Sequence, residues 1–443
     1  MYGTKFMRKL AVEIRSVLAI ALPYFRSDER WSARILLGAV VALQLGGVGL
    51  TIAINAWNNA FYNALQEKDW GAFLNQLLIF CGLAAAYIIV KVYQLYLSQW
   101  LQIRWRRWMT DRYLDAWLSR KAHYRMHLLG QTADNPDQRI SDDVHLFVSR
   151  TLNIGIELLG SVVSLASFAV VLWGLSHTVP LTIFGHSVVI PGYLVWGALF
   201  YAVLGTFVTH LIGRPLVRLN FDQQRYEADF RFALVRLREN SEEVALLGGE
   251  QAETNRLRDR FARVARNWYT IMSRQKQLTF FTAGYDQVAT VFPYLVVSPL
   301  YFAGAMQLGG LMQTASAFSQ VQTSLSFFVT AYGTLAEWKA VVERLVGFEH
   351  AIAAAHRAGA VEAGIEIQVG NGEALVVRDL VVMLPSGAEL VTVPTLALAR
   401  GERALISGPS SSGKSSLMRS LGGIWPFGAG QIEVPRGTRL LAL

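Results

Sequence analysis

Six long apolar stretches, separated by segments rich in charged residues, are the main pattern along this chain. They cover approximately residues 33–55, 73–97, 154–177, 192–213, 280–305 and 311–335. Each stretch is long enough to cross about 30 Å of hydrocarbon as a helix. Composition agrees, because 53% of the residues are hydrophobic and only 16% are charged, against about 25% charged in soluble domains. We therefore predict a membrane protein with six transmembrane helices.

Basic residues are distributed unevenly among the segments that connect these stretches. Arg and Lys are concentrated at the N-terminus and in the segments 98–153 and 214–276. The other connections contain a single basic residue, Lys68, over residues 56–72, 178–191 and 306–310. Because cytoplasmic loops carry the excess of Lys and Arg, both termini are predicted to be cytoplasmic. The membrane topology and contact with lipid headgroups account for the net charge of +9. Because the sequence has no nucleic-acid recognition motif, no nucleic-acid partner is expected.

The flanking segments are predicted to be helical as well. Within residues 1–32, apolar residues recur at helical spacing at Leu10, Ile14, Val17 and Phe25. This predicts either an amphipathic helix on the membrane surface or an ordinary buried helix. The two long basic segments also have helical periodicity, so the spans are expected to extend as helices into the cytoplasm. The single cysteine, Cys81, excludes an intramolecular disulfide and a cysteine-based metal site.

A glycine-rich loop near the C-terminal end carries the strongest chemical signal. Its sequence is Gly408-Pro-Ser-Ser-Ser-Gly413-Lys414-Ser415, and it lies between an apolar strand pattern at 404–406 and a helical pattern at 416–421. A phosphate-binding loop requires this strand-loop-helix context. Its glycines let the backbone wrap a polyphosphate while N–H groups and the helix N-terminus point at the anion. The alternative is a chance match in a Gly/Ser-rich turn.

The residue types in this loop predict individual roles. Lys414 is expected to reach the β and γ phosphates, and the Ser415 hydroxyl is expected to bind a magnesium ion. Phosphate oxygens and water would supply the other ligands of this ion. The predicted nucleotide-binding set is Gly408, Ser410, Ser411, Ser412, Gly413, Lys414, Ser415 and Ser416.

Polar side chains inside the apolar stretches are candidates for a path through the membrane. The sixth stretch has a polar stripe made of Gln313, Ser316, Gln320, Thr323, Ser326 and Thr330. Such a stripe suits either a water-filled path, for which we select Gln320 and Thr323, or helix packing through small polar residues. Asp286 is a candidate substrate or proton site, or else a partnered carboxylate inside the bundle. Lys91 and His210 are candidates for the same role or, because they lie near predicted cytoplasmic ends, side chains that snorkel.

Three longer blocks carry a family resemblance. They are Asn55-Ala-Trp-Asn-Asn-Ala-Phe-Tyr-Asn-Ala-Leu-Gln66, Asn135-Pro-Asp-Gln-Arg-Ile-Ser-Asp-Asp-Val144, and the segment 213–250. Together they resemble the SbmA/BacA-type membrane domain fused to an ATP-binding cassette, as in YddA-type bacterial transporters and peroxisomal ABCD fatty-acyl transporters. The resemblance implies an α-helical membrane domain with six transmembrane helices, in the ABC exporter-like type IV fold. A partial α/β P-loop ATP-binding cassette is expected to follow it.

The resemblance also implies a domain order and a function. We expect an N-terminal cytoplasmic or amphipathic segment, a transmembrane domain, a linker helix and the first part of a nucleotide-binding domain, at 1–32, 33–340, 341–364 and 365–443. The implied activity is ATP-driven transport of peptides or other sizeable solutes across a bacterial inner membrane. The implied cofactors are ATP and Mg²⁺, and the partners are a second copy of the chain, the lipid bilayer and the solute.

Two of the resembling blocks imply residues that couple nucleotide binding to the membrane helices. Asp137, Arg139 and Asp143 resemble the cytoplasmic coupling turn, whereas Glu242, Glu243 and Gly248 resemble an EAA-like motif. The alternative is capping and surface solvation, because Asn135 and Ser141 are good cap residues. Arg139 and Asp143 also stand at the spacing of a helical ion pair.

The chain departs from the family pattern in two places. The sequence up to Leu443 contains no Gln loop, signature sequence, second metal-binding strand, catalytic glutamate or switch histidine. We therefore expect a fragment that has no catalytic residue and does not hydrolyse ATP alone. Residues 361–407 also lack the aromatic residue that stacks on adenine, and Met383 or Leu384 is expected to replace it.

Two other functions stay open on the sequence. One is a proton-coupled secondary transporter with a vestigial cassette, in which Asp286, Glu242 or Glu243 would matter more than Lys414. The other is a membrane scaffold that does not transport and whose cassette binds nucleotide as a regulator or has no role.

Overall fold

The computed structural model describes residues 15–128, 135–177, 181–183, 186–188, 192–358, 364–370 and 372–437. Long helices dominate: α1 Arg30–Glu67, α2 Trp70–Leu118, α4 Val144–His177, α5 Tyr193–Glu239, α7 Glu250–Phe302 and α8 Leu308–Ala358. Shorter helices connect them or follow them: α3 Ala122–Leu128, α6 Ser241–Leu246 and α9 Lys414–Leu421. At 1.5 Å per residue, the helices of about 50 residues are about 75 Å long, more than twice the thickness of a hydrocarbon core.

These helices contain the predicted apolar stretches and, as expected, extend well beyond them. By length and hydropathy, four helical segments of the described chain are candidate membrane spans, namely Arg30–Glu67, Trp70–Leu128, Pro136–Leu175 and Tyr193–Glu239. Helices α7 and α8 fall outside this criterion because less apolar residues interrupt their stretches, such as Asp286 and Gln287 in α7 and the Gly, Gln, Ser and Thr residues of α8. The exact count of six transmembrane helices therefore stays a prediction.

The chain folds into two compact units. The helical unit comprises Val40–Leu95 and Ile154–Gly333, and the mixed unit comprises Met1–Ala39, Tyr96–Asn153 and Thr334–Leu443. Long helices continue from one unit into the other, and α8 runs without a break through the domain boundary predicted at residue 340. That boundary and the separate linker helix at 341–364 stay predictions.

The helical unit is held by an apolar core and by a row of amide hydrogen bonds. The core contains Phe168 and Leu172 of α4, Leu194 of α5, Val297 of α7 and Phe318 of α8. The row, which we call the amide ladder, joins α1 to the start of α8 through Asn55, Asn59, Asn63, Gln66, Leu308, Gly309 and Gln313. It satisfies backbone N–H groups at the N-terminus of α8, which have no partner inside that helix.

The described part of the N-terminal segment packs against α2 in the mixed unit. Residues 15–21 are helical, and Ile20 and Tyr24 are fully buried. The Tyr24 ring stacks on Trp105 and contacts Trp108, with centroids 5.8 and 5.7 Å apart. This part of the segment therefore matches the buried-helix alternative, whereas Leu10 and Ile14 lie outside the described residues.

A four-stranded sheet with α9 forms the second half of the mixed unit. Its strands are β3 Ile365–Gly370, β4 Leu375–Met383, β5 Glu389–Leu398 and β6 Gly428–Pro435. Their order is β3-β6-β4-β5, parallel between β3 and β6 and antiparallel elsewhere. Two further short strands, β1 Leu181–Ile183 and β2 His186–Val188, pair as a hairpin between α4 and α5. Leu128 of α3 packs against the apolar core of the four-stranded sheet.

Candidate functional site: a phosphate-binding loop and its connections

The glycine-rich loop ends where α9 begins, and the packing of α9 fixes its position. Leu417 and Leu421 of α9 are buried in the same core as Ile432 of the sheet. Gly413 stands just before the helix with φ +87°, a left-handed conformation that glycine adopts without steric cost. A Cβ atom at this position would also lie 2.6 Å from a methyl group of Val391. Backbone conformation and available space therefore both require glycine.

Lys414, the first residue of α9, lies over this loop. Its ammonium group donates to the carbonyl oxygens of Gly408 at 2.8 Å and Pro409 at 2.5 Å, and lies 3.4 Å from the Ser412 hydroxyl. Ser411 adopts a positive φ of 65°, which bends the loop sharply. The loop thus combines a lysine ammonium with a helix N-terminus, and both features attract phosphate.

These residues fit a nucleotide with its magnesium ion. Ser415 and Ser416 occupy the first turn of α9, and Ser415 is exposed. A hydroxyl at this position can serve as one Mg²⁺ ligand beside phosphate oxygens and water. Among the described residues, no group of three or more His, Cys, Asp or Glu side chains is placed to hold a metal ion. Ser410, Ser411 and Ser412 complete the loop, whose assignment to ATP stays a prediction.

The segment that precedes the loop differs from the sequence prediction. Residues 402–408 form no strand, and the side chain of Leu405 is 92% exposed. A strand is stabilised by hydrogen bonds to a neighbour, and the sheet order β3-β6-β4-β5 has no place for these residues. The prediction of a strand at 404–406 is therefore wrong for this structure.

The residues expected near the adenine lie at the end of β4. Met383 uses its backbone there, since its N–H donates to the Phe427 carbonyl at 3.0 Å and its carbonyl accepts from the Trp425 indole at 2.9 Å. Leu384 is 37% exposed and presents apolar surface. Beside this strand end, Trp425 and Phe427 belong to the sheet core, and their rings meet edge to face. A role for Met383 or Leu384 toward adenine stays a prediction.

Two predicted coupling residues form a buried ionic cluster with a third residue that sequence reasoning missed. Arg139 contacts Asp143 at 2.6 Å in a π-helical turn before α4. Arg344 of α8 binds the same carboxylate, with Nε 2.9 Å from Oδ2 and Nη2 against Oδ1. Asp143 is 2% exposed and Arg139 is 7% exposed. Burial alone raises the pKa of Asp143, but hydrogen bonds and charge from both arginines hold it below its ordinary value.

The alternative for this turn was helix capping with an ion pair, and the structure contains the ion pair but not the cap at Asn135. Arg139 and Asp143 do pair at helical spacing. Asn135, however, makes no side-chain cap bond and adopts φ +46°; its amide instead lies 3.4 Å from the Gln138 side chain. Asp137 is exposed. A role of this turn in coupling stays a prediction.

The second predicted coupling group lies in the helical unit, at the turn between α5 and α7. Short helix α6 exposes the carboxylates of Glu242 and Glu243. Next to them, the side chains of Leu246 and Leu247 are 79% and 85% exposed. Gly248 ends the turn with φ +60°, a conformation suited to glycine. The turn therefore presents an exposed surface that is both acidic and apolar.

A polar cavity of about 270 Å³ lies among α1, α7 and α8 in the helical unit. Its polar lining consists of Asn58, Tyr62, Thr290, Tyr294, Ser316, Ser319 and Gln322. Ser316 belongs to the predicted stripe, whereas Gln313 is used in the amide ladder. Neither half-buried Gln320 nor exposed Thr323 lines this cavity, and the side chain of Thr330 lies outside the described residues.

Asp286 lies one helical turn before Thr290, a residue of the cavity lining. The Thr290 hydroxyl donates to the Asp286 backbone carbonyl at 2.9 Å. The Asp286 side chain is exposed and is not part of the lining. Sequence reasoning missed Asn58, Tyr62 and Thr290, because only the packing of three helices brings them together.

Comparison with known proteins agrees with this architecture. The family termed ABC transporter transmembrane region 2 matches residues 18–302. Over 96% of its length, the chain is 31% identical to the inner membrane ABC transporter ATP-binding protein YddA of Escherichia coli K12, of which it covers 75%.

Two further relatives extend this similarity beyond enterobacteria. Over 93% of its length the chain is 32% identical to ABC transporter D family member 2, chloroplastic, of Arabidopsis thaliana. Over 94% it is 32% identical to an uncharacterized ABC transporter ATP-binding protein of Synechocystis. The chain spans only 59% and 62% of the lengths of these two relatives.

The fold has a counterpart of known structure. A bacterial Atm1-family ABC exporter with ATP bound aligns with a TM-score of 0.58 at 15% identity, over 90% of this chain and 67% of that one. At this identity the likeness concerns the fold alone, which is the α-helical membrane domain of an ABC exporter. The family match and the relatives agree with this fold: the chain belongs to the ABC transporter transmembrane region 2 family and is related to the YddA and ABCD-type transporters.

Proposed function

We propose that this chain is part of an ATP-driven half-transporter that works as a homodimer and moves peptides or other sizeable solutes across a bacterial inner membrane. In this proposal both termini face the cytoplasm, and the chain divides into the segments 1–32, 33–340, 341–364 and 365–443. The cassette binds ATP with Mg²⁺, and the helices switch a solute path between the two faces of the membrane.

The observation that carries the proposal is the position of Lys414 over its loop. The ammonium group, the left-handed Gly413 and the N-terminus of α9 converge on one small region. Convergence of these donors is what a polyphosphate needs, because several N–H groups and one cation share its negative charge. The same chain carries the family's membrane domain, so nucleotide binding and transport helices are covalently joined.

Coupling is assigned to the two groups described above. The ionic cluster of Arg139, Asp143 and Arg344 ties the start of α4 to α8, so a displacement of one helix is passed to the other. Helix α6, with Glu242 and Glu243, offers an exposed docking surface at the turn between α5 and α7. Asp137 and Gly248 shape the two turns.

Solute contact is assigned to the polar cavity among α1, α7 and α8. Hydroxyl and amide groups such as those of Thr290, Ser316 and Gln322 line it, and these groups both donate and accept hydrogen bonds. They suit a polar, amide-containing solute, and a cavity of about 270 Å³ holds only one part of a sizeable one. Gln320, Thr323 and Asp286 remain candidates for other positions along the path.

The decisive experiment replaces Lys414 in the full-length protein, reconstituted in lipid. We expect Lys414→Ala to abolish ATP hydrolysis and nucleotide-dependent transport while membrane insertion stays intact. The matched control is Arg419→Ala, which removes an exposed cation from the same helix and should leave both activities unchanged. Uptake that is unaffected by Lys414→Ala would contradict the ATP-driven function.

The proton-coupled alternative is not favoured. Two of the relatives are named ABC transporter ATP-binding proteins, and Asp286 is an exposed carboxylate outside the polar cavity. The experiment above can reverse this ranking. It would do so if uptake depended on a proton gradient, survived Lys414→Ala and were lost in Asp286→Asn.

A further inference from the structure

A wide cleft runs along one face of α5 in the helical unit. It encloses about 1270 Å³, more than the roughly 300 to 1,000 Å³ of ordinary small-molecule pockets. Its lining follows α5 at intervals of three or four residues, through Val203, Phe207, His210, Arg214, Val217 and Phe221. This spacing places the residues on one helix face. The cleft shares no residue with the polar cavity or with the turn at α6.

One half of the cleft is an apolar strip within the stretch 192–213. Val203 is 60% exposed and Phe207 is 65% exposed, and Leu325 of α8 lies on the opposite wall. From Val203 to Gly213, α5 rises about 15 Å at 1.5 Å per residue. This equals half of a hydrocarbon core of about 30 Å. The strip therefore has the length of one bilayer leaflet.

The strip ends in a group of basic residues. Arg214 follows the strip directly, with His210 one turn before it and Arg218 one turn after it. Arg214 is exposed and has no carboxylate partner among the residues that the structure describes. Arg218 lies 4.0 Å from Asp222, but its side chain is 90% exposed. Both guanidinium groups are therefore available to an anion, and their planar donors match a phosphate.

We propose that this cleft is a binding site for an anionic phospholipid. The acyl chain lies along the apolar strip, and Arg214 and Arg218 bind the headgroup phosphate. A soluble anion would gain nothing from an apolar strip of this length, and a lipid without net charge would gain little from two arginines. The lipid belongs to the leaflet on the Arg214 side of α5, which is cytoplasmic in the orientation of the proposed function.

The test uses a fluorescent label inside the cleft. Cys81 is the only cysteine in the sequence, so Cys81→Ser with Phe207→Cys gives one labelling site on the strip. The full-length protein is reconstituted in vesicles of non-brominated phosphatidylcholine. To these vesicles a second lipid with brominated chains is added, either phosphatidylglycerol or phosphatidylcholine. Bromine quenches the label on contact. We expect brominated phosphatidylglycerol to quench at a much lower mole fraction than brominated phosphatidylcholine.

Variants of the basic group then test the headgroup contact. Arg214→Gln with Arg218→Gln should raise the mole fraction of phosphatidylglycerol needed for half quenching by about tenfold, to the value for phosphatidylcholine. Arg214→Lys with Arg218→Lys keeps the charge and should retain the preference, which separates loss of binding from misfolding. The matched control, Arg231→Gln with Arg238→Gln, removes two exposed charges from α5 beyond the cleft and should leave the preference unchanged.

Three results would overturn the inference. One is equal quenching by the two lipids, and another is an equal effect of the cleft variant and its control. The third is a label protected from both lipids, with Phe207→Cys forming a disulfide between two chains, because a second copy would then cover the cleft. The quenching needs no nucleotide and is repeated with Lys414→Ala. Its outcome is therefore independent of whether the protein hydrolyses ATP.

Discussion

Helix α8 is held by two polar contacts of opposite character, one in each unit. In the helical unit, the amide ladder binds its first turns through neutral groups, such as the Asn59 amide 2.7 Å from the Gln313 side-chain oxygen. In the mixed unit, Arg344 binds the buried carboxylate of Asp143, which Arg139 also contacts. The first contact is made of several hydrogen bonds between neutral groups, whereas the second joins two arginines to one carboxylate.

The difference follows from the surroundings of each contact. The ladder begins at Asn55, at the end of an apolar stretch, where a charged side chain would cost at least about 2.5 kcal/mol. Amides avoid this cost and also satisfy the backbone N–H groups of Leu308 and Gly309. Beyond the apolar stretches water is accessible, and Arg344 keeps 38% of its side chain exposed. A charged contact therefore costs less at Arg344 than it would beside the apolar stretch where the ladder begins.

The largest effect is expected from removing the shared carboxylate. Asp143→Ala removes the buried carboxylate that Arg139 and Arg344 share, and breaking a buried ion pair costs about 3 to 5 kcal/mol. We expect about 3 kcal/mol, because Arg344 can turn toward water. The measurement is the free energy of unfolding by chemical denaturation in detergent. Asp142→Ala is the control, since Asp142 is exposed and its carboxylate accepts a hydrogen bond from the Ser141 hydroxyl. Equal losses for both variants would contradict a role of the cluster in stability.

A smaller effect is expected from separating the two helices of the ladder. A Cβ atom at Gly309 would meet the backbone carbonyl oxygen of Asn59, so Gly309→Ala must push α8 away from α1. We expect a loss of about 2 kcal/mol, as for other overpacked sites. Gly347→Ala, in the same helix with open space around it, should be neutral or slightly stabilising. Similar denaturation curves for both variants would show that the close approach is unimportant.

The smallest effect is expected from single rungs of the ladder. A double-mutant cycle of Asn59→Ala and Gln313→Ala should give a coupling free energy of about 0.6 kcal/mol, typical of polar contacts between membrane helices. Combining Asn59→Ala with Asn255→Ala, which lies in α7 of the same unit and bonds Gln251, should give none, because sites that share no partner are additive. A coupling above about 2 kcal/mol would mean that the ladder acts as one cooperative unit.

Sequence patterns predicted those parts of the molecule that depend on neighbours along the chain. The six apolar stretches became helices because periodicity and hydropathy are local properties. The loop from Gly408 to Ser415 was found for the same reason, since its glycines and Lys414 act within eight residues of sequence. Pairing of Arg139 with Asp143 also needed only helical spacing.

Contacts between distant segments were not predictable in this way. Arg344 meets Asp143 across 201 positions, and nothing in its neighbourhood distinguishes it from other arginines. The polar cavity mixes residues of three helices, so Ser316 was selected together with Gln313, which is used in the ladder. The prediction of a strand at 404–406 was wrong for a related reason. An apolar run forms a strand only beside a partner strand, and whether a partner is present depends on the order of the whole sheet.

The contacts of Lys414 with its own loop have a consequence for ligand affinity. The carbonyl oxygens of Gly408 and Pro409 act as internal competitors for the ammonium group. An anion that recruits Lys414 must first displace it from them, so the net free energy of binding is the difference between two sets of contacts. The loop should therefore discriminate between ligands by their negative charge. A triphosphate can displace Lys414 from the two carbonyl oxygens, whereas a ligand with less negative charge does not.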